Sequence, residues 1–138
     1  QAAIKNTYQP YPRQRIVVNL APATVRKEGP IYDLPIALGL LAANGTITDP
    51  GVLNEYIVLG ELSLDGRVKP VRGVLSMAIA LYRSGYRRFI VPDGNREEAS
   101  VVEELEIYPA ASTVIDLTGS TPELIRAGRG SLAPFGLD

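Results

Sequence analysis

A chain of 138 residues, 46% hydrophobic and 21% charged, can bury one globular core and is too short for two ordinary domains. Its 14 basic and 15 acidic residues leave a net charge of −1, which argues neither for a polybasic nucleic-acid binder nor for an acidic tail. Without cysteine or histidine, disulfides, thiolate chemistry, Ser-His-Asp triads and the common zinc sites are excluded within this chain, and no metal or cofactor is expected in it.

The N-terminal stretch Gln1 to Asn6 reads as the tail of a helix that starts upstream, and the lack of an initiator Met suggests a fragment of something longer. No apolar run reaches the roughly 20 residues that span a bilayer. The longest, Leu34 to Ala43, is interrupted by Pro35 and Gly39. No signal-peptide pattern opens the chain, so the cytoplasm is the expected compartment.

In chain order, Arg15 to Leu20 is rich in β-branched residues and predicts a strand. A polar loop follows over Ala21 to Pro30. Asp33 is placed to cap a helix running to Asn44, with Pro35 in its first turn and Asn44-Gly45 as its stop. Tyr56 to Leu64 predicts a strand, and Asp65-Gly66 a hairpin turn whose centre needs positive φ. Arg67 to Val71 is the returning strand. Val74, Met77, Ala78, Leu81 and Tyr82 share one helical face, closed by Ser84-Gly85.

Phe89 to Val91 is a short buried strand ended by Pro92. Asn95 and Glu98 have the spacing of a capping box, with Val101, Val102 and Leu105 as the inner face of the helix that follows. Ile107-Tyr108 is a further strand, and Ser120 to Ala127 a last short helix. Strands alternating with helices predict an α/β arrangement, a mixed sheet covered by helices with at least one antiparallel hairpin.

The charges are sorted along the chain. Gly66 to Pro92 holds six basic residues and no acidic one, whereas Asp93 to Glu123 holds eight acidic residues and one basic. Solvated faces explain this, and so does a self-complementary surface between identical subunits.

Three stretches carry a resemblance. They are Val18 to Ala23, then Arg26-Lys27-Glu28-Gly29-Pro30 through Asp33 to Gly39, and Leu59 to Arg67 through Pro70-Val71-Arg72-Gly73-Val74. Together they resemble the N-terminal domain of the magnesium-chelatase-subunit-I-like proteins, the bacterial competence-protein ComM (YifB) family. In that family a Lon-protease-like domain precedes an AAA+ ATPase module.

The resemblance implies the Lon proteolytic fold, shared with the second domain of ribosomal protein S-five, here lacking its N-terminal strands. It places the domain at residues 1–127 and a linker toward the ATPase module at 128–138. ATP and magnesium are implied for that module only, since this chain has no G-x-x-x-x-G-K-[ST] loop. A ring-like homo-oligomer is implied for the parent protein, with DNA as a possible partner and no membrane.

Lon-type proteases use a serine after an acidic-Gly-Pro step and a lysine on the helix after a Pro-x-Gly-Gly segment. At those positions this sequence has Ile31 and Met77, which can neither attack nor accept a proton. The resemblance therefore implies a non-proteolytic relative serving subunit assembly or substrate contact, in competence or recombination.

Two other functions stay open. One is a DNA-binding module using the basic stretch 66–92, although that stretch lacks the interleaved aromatics of a single-strand platform. The other is an unorthodox serine peptidase, with Ser63 and Lys69 facing each other across the hairpin. The binding candidates are Arg26, Lys27, Asp33, Arg67, Lys69 and Arg72. For each, an ordinary solvated loop cation or helix cap is the competing explanation.

Overall fold

The computed structural model describes residues 1–6, 10–22, 29–47 and 49–110, together with the backbone of 114–116 and 123–126. Its centre is a three-stranded parallel sheet, in the order β1 (Ile57–Val58), β4 (Arg88–Pro92), β5 (Glu106–Ala110). An antiparallel hairpin of β2 (Glu61–Leu62) and β3 (Val68–Lys69) leads from β1 into helix α3 (Val74–Arg83). Helix α4 (Arg96–Ala99) lies between β4 and β5. Helix α1 (Ala2–Asn6) and helix α2 (Asp33–Ala43) precede the sheet. Strands β6 (Val114–Asp116) and β7 (Glu123–Arg126) form a separate antiparallel pair.

Alternation along β4 decides which side of the sheet is core. Phe89 and Val91 point to one face and are fully buried, with Leu59, Val74, Ala78 and Ala99 in the same cluster. Ile57 and Ile107 lie beside Phe89 in register, and both pack against this cluster. On the opposite face Val58, Ile90 and Tyr108 remain half-buried. Both crossovers, β1 to β4 and β4 to β5, carry their helices to the Phe89 face, so α3 and α4 sit side by side.

Local signals that need no distant partner appear where the sequence places them. Gly66 turns the hairpin at φ 86°, Gly45 follows α2 at φ 77°, and Gly85 follows α3 at φ 96°. The helices at Asp33–Ala43 and Val74–Arg83 and the strands at Arg88–Pro92 and Glu106–Ala110 also stand where expected, while several other expectations are corrected by tertiary contacts. Arg15 to Leu20 forms no strand, because its backbone finds no ladder partner among the described residues. It runs instead along α2, bordering a groove of about 350 Å³ with Tyr32, Pro35 and Ile36, and Val17 is 81% exposed.

The strand predicted over Tyr56 to Leu64 is broken at Leu59-Gly60. There the Gly60 N–H donates to Ile31 O at 3.1 Å and Gly60 O accepts from Leu34 N at 3.0 Å. A Cβ on Gly60 would lie 3.0 Å from Val68 Cγ1 and 3.1 Å from Leu34 Cβ, so any larger residue would have to displace these neighbours slightly. The return strand shortens from Arg67–Val71 to Val68–Lys69.

The helix expected to reach Leu105 ends at Ala99. The Ser100 hydroxyl bonds back to Arg96 O at 2.7 Å, and turn bonds from Val102 to Ala99 O and Leu105 to Val102 O replace the helical ladder. Val102 and Leu105 still pack inward, but Val101 is 64% exposed. The last predicted helix is also corrected. Glu123–Arg126 pairs as a strand with Val114–Asp116, two short runs rich in Val, Ile and Leu. The predicted linker 128–138 lies outside the described residues.

The turn into α3 is packed tightly against the turn out of β4. A Cβ built on Gly94 would stand 2.5 Å from the Pro70 Cγ, and a proline ring cannot swing aside. Gly94→Ala is expected to cost about 1–3 kcal/mol by overpacking, read as a lower thermal midpoint. An unchanged midpoint would show that the two turns separate freely.

Candidate functional site

The two positions singled out for a catalytic dyad sit on the elements that converge at the core. Gly29, at φ 91°, opens a single 3-10 turn, Pro30–Tyr32, and Ile31 lies in that turn just before α2. Asp33 does not cap α2, whose N-cap position is Tyr32. Its Oδ2 instead accepts from the Leu62 N–H at 3.2 Å, a bond across to β2. With the two Gly60 bonds, this stitches the start of α2 to the β1–β2 corner.

Met77 occupies the second turn of α3, with its N–H donating to Gly73 O at 3.2 Å. Ile31 and Met77 are both half-buried and both pack against the cluster around Phe89. Each position therefore holds an apolar side chain against the core, an isoleucine at one and a thioether at the other, with no atom able to attack a carbonyl.

Gly73, at φ 78°, brings the chain into α3 with no side chain to cap the helix. The cap comes from α4. Glu98 Oε1 accepts from the Leu75 N–H at 3.0 Å, which also sets a carboxylate at the positive end of the helix dipole. Asn95, 4% exposed, grips both polar groups of Val71: its Oδ1 accepts from Val71 N at 2.9 Å and its Nδ2 donates to Val71 O at 2.8 Å. Asn95 also donates to Glu98 Oε2 at 3.2 Å. The Asn95–Glu98 spacing was legible as a cap, but it serves α3 and the 70–73 turn, not its own helix.

The hairpin disposes of the alternative peptidase pair. Register sets Lys69 opposite Glu61, and Ser63 bonds across to Arg67, so Ser63 and Lys69 do not face each other. The Ser63 hydroxyl donates to Asp65 Oδ1 and accepts from Arg67 N at 3.1 Å. That hydroxyl bond, and then the Arg67 amide, hold the Asp65 carboxyl below the ordinary carboxylate range. The serine is thus a turn-locking group, and the carboxylate it bonds is held too weakly basic to activate it.

The basic candidates do not form one stripe. Arg67 Nε lies 3.1 Å from Asp65 Oδ2 on the hairpin tip. Arg88 bridges Glu55 and Glu106, its Nε 3.2 Å from Glu106 Oε2. These carboxylates, Glu106 first, raise the Arg88 pKa above its ordinary value. Glu106 also accepts from the Tyr108 hydroxyl at 2.8 Å; burial first, and then this bond, push that phenol up to about 12. Arg87 lies over the Tyr82 ring, 4.1 Å from its centroid. Lys69 and Arg72 are exposed, and neither makes an ion pair among the described residues. Arg26 and Lys27 lie outside the described residues. No trio of acidic side chains close enough to hold a metal ion occurs among the described residues.

A helix-covered parallel sheet with an antiparallel hairpin is an α/β domain, and its sequence relatives place it beside the Lon proteases. Residues 1–95 match the family described as subunit ChlI of Mg-chelatase. The chain belongs to that family. It is 43% identical over 102 residues to uncharacterized protein YifB of Escherichia coli (strain K12), covering 74% of this chain and 20% of the relative. It is 39% identical over 117 residues to competence protein ComM of Haemophilus influenzae, covering 85% and 22%. To the peroxisomal Lon protease homolog 2 of Caenorhabditis elegans it is 33% identical over 111 residues, covering 78% and 14%. The chain spans about a fifth of the length of its YifB and ComM relatives. No helix among the described residues is long and apolar enough to cross a membrane.

Proposed function

We propose that this chain is a non-proteolytic Lon-like domain of a ComM-type AAA+ ATPase, working in subunit assembly or in contact with the substrate delivered to the motor. The observation that carries the reading is the apolar character of two core-packed positions. Ile31 and Met77, at the positions where the resemblance expects serine and lysine, pack against the Phe89 cluster. Apolar side chains there support the fold and remove the chemistry, because a lysine in their surroundings would carry a desolvation cost. ATP and magnesium belong to the ATPase module, and the cytoplasm is the compartment this function needs. The name of the ComM relative, a competence protein, supports a role in DNA processing. The distribution of charge favours no direct DNA finger, since Arg67 is paired with Asp65 and Lys69 stands opposite Glu61.

The test is a digest of unfolded polypeptide substrates alongside a serine-directed fluorophosphonate probe. The unaltered chain is expected to cleave nothing and take no label. Ile31→Ser with Met77→Lys is expected to lose about 1–3 kcal/mol of stability and still cleave nothing, because two side chains do not rebuild a substrate groove. Cleavage by the unaltered chain would overturn the reading.

A further inference from the structure

Helix α2 ends on Asn44, and of the asparagines in the chain Asn44 alone is followed by glycine. Both residues are exposed. Gly45 stands at φ 77°, and a Cβ built on it would meet nothing within 4 Å, so the space around its Cα is open. The Asn44 carboxamide acts as a fastening. Its Nδ2 donates to Pro10 O at 3.2 Å, tying the segment that runs along α2 to the end of that helix, and donates to the Thr46 hydroxyl at 3.4 Å. A groove of about 710 Å³ opens beside it, lined in part by Tyr11, Arg13, Arg15 and Leu40. Arg13 and Arg15 are exposed and form no ion pair among the described residues.

A carboxamide one residue ahead of a glycine amide sets an electrophile within reach of a nucleophile. The Gly45 nitrogen attacks Asn44 Cγ as its proton is lost. The N–Cγ bond forms, the Cγ–Nδ2 bond breaks, and the nitrogen leaves with that proton as ammonia. Water then opens the five-membered imide at either carbonyl, giving aspartate or isoaspartate, with no oxidant or cofactor. Glycine favours the closure because it brings no Cβ to crowd the ring.

The fold meters this step. The Gly45 N–H is held by Ala42 O at 3.1 Å, and Asn44 sits at φ −82°, ψ −3°, from which ψ must turn before nitrogen and Cγ meet. The nitrogen is therefore free to attack only while the last turn of α2 is frayed. The product undoes the fastening. The donor to Pro10 O is gone, and a carboxylate stands at the negative end of the helix dipole. Isoaspartate also adds a methylene to the main chain just before Thr46 and Ile47, two buried residues whose amides both bond to Leu41 O.

We propose that Asn44–Gly45 is a deamidation site, a one-way modification that loosens residues 10–15 from the end of α2 at a rate set by fraying of that helix. This goes beyond the assembly and substrate reading and needs neither.

The test is to age the folded chain in mildly alkaline buffer and map its digest by mass spectrometry beside a short peptide of sequence 41–48. A gain of about 1 Da confined to the fragment holding Asn44 is expected, from ammonia lost and water added. It should appear about tenfold more slowly than in the short peptide, because only the frayed helix end reacts. Asn44→Gln, whose ring closure is disfavoured, should show no gain there. Asn44→Asp and the aged chain should both exchange the Thr46 and Ile47 amides severalfold faster than the fresh chain, and both should be cut severalfold faster by trypsin after Arg13 and Arg15. No mass gain in the chain while the peptide reacts, a rate equal to that of the peptide, or an earlier gain at another asparagine would each overturn the proposal. So would an Asn44→Asp chain that exchanges and is cut like the unaltered one. The digest of unfolded substrates is indifferent to all of these outcomes, and cleavage there would leave this site standing.

Discussion

Phe89→Ala is expected to remove about 3–5 kcal/mol of stability, the usual cost of emptying a fully buried aromatic site. Phe89 sits on the central strand β4, flanked in register by Ile57 and Ile107, with no exposed surface. Val74 and Ala78 of α3 and Ala99 of α4 close over it, and they lie on rigid elements that cannot collapse far into the void. Small domains have a net stability of about 5–15 kcal/mol, so the variant is left near the threshold of folding. Urea denaturation with an unchanged slope would read the loss directly. A loss below about 1 kcal/mol would show that the α3/α4 layer does not rest on this ring.

The second large effect concerns a polar residue. Asn95→Ala is expected to cost about 2–4 kcal/mol, because it leaves the N–H and the carbonyl of Val71 without their partners in a part-buried turn. Asn95→Asp keeps an acceptor for the Val71 N–H but loses the donor to Val71 O, and it sets a carboxylate against Glu98. It should recover less than half of the loss. Thermal melts of the two variants beside the unaltered chain check the order. Equal stability of all three would mean that water replaces the clamp at no cost.

What the sequence made legible was what depends on near neighbours. Asp65-Gly66 turns because its own backbone requires it, and the Val74, Ala78 and Leu81 spacing makes a helical face without reference to the rest of the chain. What stayed illegible depends on partners far along the chain. Gly60 leaves the strand because its N–H and carbonyl bond to Ile31 and Leu34, about thirty residues away in sequence and outside any local window. The β-branched run at 15–20 has the composition of a strand and no ladder partner, and composition cannot report that. Asn95 and Glu98 were recognisable as capping residues by type and spacing, while the helix they cap was not.

The candidate site divides in the same way. That Ile31 and Met77 carry no chemistry follows from their side chains. That they meet at one apolar cluster required the fold. Ser63 and Lys69 showed the limit of reading a hairpin without its register, since the turn places Glu61 opposite Lys69.

The grip of Asn95 on Val71 and of Glu98 on Leu75 spans 24 and 23 residues. As the chain emerges from the ribosome, α3 is therefore made before the groups that seal its first turn. A ten-residue helix with glycine at its head does not hold together alone in water. Order in α3 waits until β4 has laid itself beside β1 and the chain has doubled back through α4. The contacts that hold α3 thus come from residues made after it, Phe89 filling the interior and Asn95 fastening the turn above it. A nascent chain halted before Asn95 would hold every residue of α3 and still lack the means to keep it wound.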